Sequence, residues 1–68
     1  VKPEIGQVRA AASSGNGEMF ILVVGHDREN TGWEAIVIHS TKWYSNMFVV
    51  GSTTWWSEDW LTTQTVAI

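Results

Sequence analysis

Met19-Phe20-Ile21-Leu22-Val23-Val24-Gly25 and, after a polar loop, Trp33-Glu34-Ala35-Ile36-Val37-Ile38-His39 decide the fold class of this chain. The first run is unbroken apolar sequence stopped by glycine, as in a strand covered on both faces, by core on one side and a loop or partner on the other. In the second, alternation places Trp33, Ala35, Val37 and His39 on one face and Glu34, Ile36 and Ile38 on the other. That second face is apolar except at Glu34, so this strand also reads as largely covered. Asp27-Arg28-Glu29-Asn30-Thr31-Gly32 between them closes a hairpin, with Gly32 suited to positive φ.

Working outward, Pro3-Glu4-Ile5-Gly6 leads into a first strand from Gln7 to Ala12, and Ser13-Ser14-Gly15-Asn16-Gly17 is a dense turn signal. Met47 to Val50 reads as a fourth strand ended by Gly51. Ser57-Glu58-Asp59-Trp60-Leu61 predicts a single helical turn: Ser57 can cap it, and the two acids sit where the helix dipole favours them. Thr62 to Ile68, rich in β-branched residues, reads as a final strand. No segment holds an apolar i, i+3, i+4 pattern for three turns. The expectation is an all-β chain: a small five-stranded SH3-like barrel over residues 1–68, one domain, with one short helical turn before the last strand. An OB-like barrel or a small sandwich fits the same elements.

With 68 residues the core is small, and chains of this size often lean on disulfides, a metal or a partner. Cysteine is absent, which removes disulfides and thiolate metal sites and leaves partner contacts as the supplement. Net charge is −3, and Lys2, Arg9, Arg28 and Lys42 stand singly. No basic stripe of the kind that displaces counterions from phosphates is present, so no nucleic acid partner is expected. Met19 to Val24 is far too short to cross a membrane, and no signal peptide is expected from Val1-Lys2-Pro3-Glu4, which lacks an apolar run. A valine in first position is what a GTG start read literally gives, and both ends are expected to be held by neighbours.

Five tryptophans are present, and Trp43, Trp55, Trp56 and Trp60 fall in the C-terminal part, where Glu58 and Asp59 are the only charges after Lys42. Burying one Trp removes roughly 200 Å² from water, worth about 5 kcal/mol as an upper bound. So many large rings are hard to hide in one small core, and Trp is the side chain most enriched at binding hot spots. Ser40-Thr41-Lys42-Trp43-Tyr44-Ser45 and Ser52-Thr53-Thr54-Trp55-Trp56-Ser57 share the pattern Ser-Thr-x-Trp-aromatic-Ser. Their spacing suits two successive strand-to-loop corners, so the aromatic pairs are expected to form neighbouring ridges of one surface. Trp43, Tyr44, Trp55, Trp56 and Trp60 are the predicted partner-binding residues, and Trp33 is a barrel residue.

Catalytic chemistry has few candidates. His26 and His39 end successive strands and so lie at opposite ends of a hairpin, about 20 Å apart at ~3.3 Å per residue. They cannot share a metal or a proton relay. Glu58 and Asp59 are adjacent and read as capping charges rather than a catalytic pair. No Gly-x-Ser-x-Gly positions a serine, and Gly15-Asn16-Gly17 lacks the Lys-Ser/Thr of a phosphate loop. No catalytic residue, cofactor or metal is expected.

Pro3, Gly6 and Val8, in Lys2-Pro3-Glu4-Ile5-Gly6-Gln7-Val8, resemble the Pro-x-x-Gly-x-Val lead of short bacteriophage proteins with SH3-like barrels. The Val23-Val24-Gly25 strand end and the acidic-Trp turn before the closing strand are also similar. The resemblance covers about half of the chain and transfers no functional residue. MazF-type toxin ribonucleases share a Gly-x-Val opening, but they are longer and carry a basic RNA-binding face absent here, so that activity is not carried over.

The resulting expectation is a non-enzymatic virion component, a minor capsid, decoration or cement protein. Its Trp-rich face would bind coat subunits or copies of itself, and the Thr62–Ile68 tail would add a strand to a neighbour's sheet. Two alternatives stand beside it: a phage or bacterial module in the host cytoplasm that captures a host protein, and a small glycan-binding module. In the last, Trp55, Trp56 and Trp60 would stack on sugars flanked by Ser52, Thr53, Thr54, Glu58 and Asp59.

Overall fold

The computed structural model describes residues 2–13, 15, 17–27, 29 and 32–68. Residues 14, 16, 28, 30 and 31, which belong to the two predicted turns, lie outside the described residues, as does residue 1. The elements are β1 (Val8–Ser13), β2 (Gly17–Asp27), β3 (Gly32–Ser40), α1 (Lys42–Met47), β4 (Thr53–Ser57), α2 (Glu58–Gln64) and β5 (Val66–Ala67). The strands form one antiparallel sheet in the order β4-β3-β2-β1-β5. The chain is all-β, with the five strands and the helix before the last strand expected of an SH3-like barrel. The sheet is open: β4 and β5 are its edges, and no ladder joins them among the described residues.

β2 and β3 form the central hairpin, and their inward residues build the core. Met19, Ile21, Val23, Trp33, Ala35 and Val37 are buried, together with Ala11 of β1 and Leu61 of α2. Tyr44, Phe48, Trp56 and Trp60 pack against them. On the opposite face Phe20, Leu22, Val24 and Ile36 are only half-buried, and Ile38 is 42% exposed. The cover predicted for that face is therefore partial within this chain.

Two register shifts in the β2–β3 ladder make Val24 and Ile38 extra residues. Bulges of this kind bend a strand and increase its twist. The one at Ile38 corrects the predicted face of His39: it pairs with Phe20 instead of continuing the Trp33-Ala35-Val37 row, and the two rings lie 5.2 Å apart. His26 is at the other end of the hairpin, stacked on Trp33 at 4.0 Å.

The segment after β3 departs from the prediction. Met47 to Val50 is not a strand. Lys42–Met47 forms a helix, Val49 and Val50 are 67% and 57% exposed, and Gly51 turns the chain at φ 94°. Tyr44 and Phe48, four apart, set one helical side against the core, and Phe48 N–H closes on Tyr44 O at 2.8 Å. Packing of those two rings outweighs the local β-propensity of Val49-Val50. The fourth strand lies further on, at Thr53–Ser57.

The C-terminal end is also more helical than predicted. Ser57 caps α2 as expected, its hydroxyl accepting from Trp60 N–H at 3.1 Å. The helix then runs on to Gln64, leaving only Val66–Ala67 as strand. Thr62 and Thr63 fit because their hydroxyls donate to Glu58 O and Asp59 O one turn back, at 2.8 and 2.7 Å. Arg9 anchors the far end of α2. Its guanidinium is buried, donating from Nε to Thr65 Oγ1 (2.7 Å), from Nη1 to Gln7 Oε1 (2.6 Å), and from Nη2 to the Leu61 and Thr65 carbonyls (3.0 and 3.2 Å). A cation at the C-terminal carbonyls complements the helix dipole, as Glu58 and Asp59 do at the other end. This network fixes how α2 sits on β1, and hence where Trp60 and Gln64 stand.

Candidate functional site

Trp56 points to the core side of β4, and Trp60 follows it on the first turn of α2. The capped Ser57 junction folds the two indoles against each other, stacked at 4.1 Å with an interplanar angle of 18°. Trp56 Nε1 donates to Thr54 Oγ1 at 2.6 Å, which fixes its ring. From Trp56 the aromatic row continues to Phe48 (5.2 Å), Tyr44 (6.3 Å) and Trp43, whose ring meets Tyr44 edge-on at 5.2 Å. These five rings, with Ala12 and Gln64, line a cleft of about 390 Å³. Among the described residues no charged side chain lines it, so ring faces and a few neutral polar groups are what it offers a ligand.

Four of the five predicted partner-binding residues therefore share one cleft: Trp43, Tyr44, Trp56 and Trp60. Trp55 does not join them. Strand alternation sends it to the other face of the sheet, opposite Glu34 on β3, where it is 59% exposed and lies over Gly32. Three cleft residues were not predicted. Phe48 falls within the expected Met47–Val50 strand, although its i+4 spacing from Tyr44 is a helical signal. Gln64 was likewise hidden in the supposed tail strand, four residues after Trp60. Ala12 matters for being small and for its backbone, and no sequence pattern marks either property.

A smaller hollow of about 250 Å³ adjoins the cleft, sharing Ala12 and Gln64 and reaching Ala10, Thr63, Thr65 and Val66. The two form a groove beside β1. Register shows what the backbone presents there. Val23 N–H donates to Gln7 O on the β2 side, whereas Ile68 N–H donates to Val8 O on the β5 side. Alternation continues this, so Arg9 and Ala11 face β2 while Ala10 and Ala12 face outward. Val66 takes Ala10. Ala12 has no ladder partner on that side among the described residues, because α2 occupies the place where β5 would continue. One strand N–H and one strand C=O therefore open onto the groove between the aromatic cleft and the smaller hollow.

Other sequence candidates stand apart from the cleft. His39 Nε2 lies 3.5 Å from Glu18 Oε1 at the surface, and His26 stacks on Trp33 at the opposite end of the hairpin. No group of three His, Cys, Asp or Glu able to hold a metal occurs among the described residues, and no described helix is long and apolar enough to cross a membrane. Two of the three hydroxyls expected to flank a sugar are engaged within the chain: Ser52 Oγ donates to Val49 O at 2.6 Å, and Thr54 Oγ1 accepts from Trp56. Comparison with protein-family models, curated proteins and solved structures finds no match to this chain.

Proposed function

We propose that this chain is a non-enzymatic contact protein that docks a protein partner through the Trp43-Tyr44-Phe48-Trp56-Trp60 cleft. The carrying observation is the convergence of these rings on one uncharged cleft beside the free backbone edge of Ala12. Aromatic anchors supply most of the energy of a protein contact, and an open strand edge supplies register for an extended segment of the partner. In the setting suggested by the phage-like opening, the partner is a coat subunit and the chain belongs to the virion as a decoration or minor capsid protein. Mass spectrometry of purified particles tests that setting, and absence of the chain from particles overturns it. A stoichiometric host protein retained by the wild type and released by Trp60→Ala would place the same cleft in the host cytoplasm instead.

A further inference from the structure

β4 has β3 on one side and no ladder on the other among the described residues. Register again tells which groups are free. Gly51 N–H donates to Val37 O and Val37 N–H donates to Ser52 O, so Val37 faces the β4 side. By alternation Ala35 and Trp33 face the same way and take Thr54 and Trp56. Thr53, Trp55 and Ser57 are left pointing outward. Thr53 and Trp55 each present an N–H and a C=O, and Ser57 presents its N–H, its carbonyl being turned into α2 as the cap residue. Natural edge strands are protected by lysine, proline or a bulge. Thr53-Thr54-Trp55-Trp56-Ser57 has no lysine or proline, and its ladder with β3 runs without a register shift.

We propose that β4 pairs antiparallel with β4 of a second copy about a two-fold axis at Trp55. The outward groups fit that symmetry: Trp55 of each copy exchanges two hydrogen bonds with its twin, and each Ser57 N–H reaches the other copy's Thr53 carbonyl. The free edge thus complements itself, as an isologous contact must. The exposed Trp55 rings meet across the seam, the type of cross-strand aromatic pair that stabilises sheets. None of the chain's charges lies on β4, so its net charge is not concentrated there. The axis between antiparallel strands is perpendicular to the sheet, so both aromatic clefts open on the same side of a ten-stranded sheet. The use of the dimer as a bivalent binder rests on the cleft being the binding site; the pairing itself does not.

A strand-edge contact is smaller than the standard ~800 Å² per partner, so the dimer should form with rising concentration across about 1–500 µM. Sedimentation equilibrium over that range should show the mass doubling. In the same samples, amide exchange at Trp55 and Ser57 should slow with concentration, while Thr54 and Trp56 stay constant. Monomer mass throughout, or concentration-dependent protection elsewhere, overturns the proposal. Trp55→Lys, which sets like charges face to face at the axis, should remain monomeric; a dimer that survives it also overturns the proposal. The wild-type exchange data decide the matter even if that variant folds poorly. Trp60→Ala should weaken partner binding and leave the mass transition in place, so failure of the cleft reading is distinguishable from failure of the pairing.

Discussion

Ser40–Ser45 and Ser52–Ser57 carry the same Ser-Thr-x-Trp-aromatic-Ser pattern, yet the first enters a helix and the second is a strand. The consequence for the rings is direct. On α1, Trp43 and Tyr44 both reach the cleft. On β4, the two indoles are divided, Trp56 to the cleft and Trp55 to the opposite face. The variable position shows part of the cause. Lys42 takes φ 50°, a left-handed turn that starts α1, whereas the β-branched Thr54 at the matching place favours extended backbone. Thr41 holds the first copy down: its N–H donates to Glu18 O at 2.9 Å and its hydroxyl accepts from Glu18 N–H at 3.0 Å. The second copy pairs with β3 and has no comparable clamp among the described residues.

The two tryptophans of the strand copy give the largest contrast. Trp56→Ala removes a ring packed against both Phe48 and Trp60, and should cost about 3 kcal/mol in denaturant unfolding while abolishing partner binding. A loss below about 1 kcal/mol would mean that the cleft is not supported by this ring. An intermediate effect is expected at the point where the copies diverge. Lys42→Thr places a β-branched residue at φ 50° and should destabilise by about 1–2 kcal/mol, with loss of helical signal from α1. Unchanged stability would show that the turn does not depend on residue type at this position. Smallest of all, Trp55→Ala should cost about 0.5 kcal/mol in dilute solution, mainly the cover the ring gives Gly32. A cost equal to that of Trp56→Ala would erase the division between the two faces.

How much was legible follows the same line. The β2–β3 hairpin could be read because its apolar runs are long enough to show period and to be bounded by turn residues. The Ser57 cap with Glu58 and Asp59 could be read because capping is local chemistry within four residues. Gathering of Trp43, Tyr44, Trp56 and Trp60 on one surface was legible in outline from low charge and high Trp content, but the same reading placed Trp55 there too, and strand alternation sends it to the opposite face. What could not be read was the helix at Lys42–Met47, where two rings packing on a distant core outweigh strand-forming neighbours. Nor could the extension of α2 through Thr62 and Thr63, which needs side-chain bonds to carbonyls one turn back.

Sequence alone thus determined the all-β class, the central hairpin and the capped turn before the last strand, set by side-chain period and local capping, and singled out four of the cleft residues by their Trp-rich, low-charge composition. Tertiary structure decided the rest. The bulge at Ile38 moves His39 to the other face, and the bonds of Arg9 to Leu61 and Thr65 seat α2 in the place of a longer β5. That seating leaves the Ala12 edge open beside the cleft. Such features depend on which strand lies beside which, and hydrogen-bond pairing between residues more than fifty positions apart leaves no periodic trace in the chain.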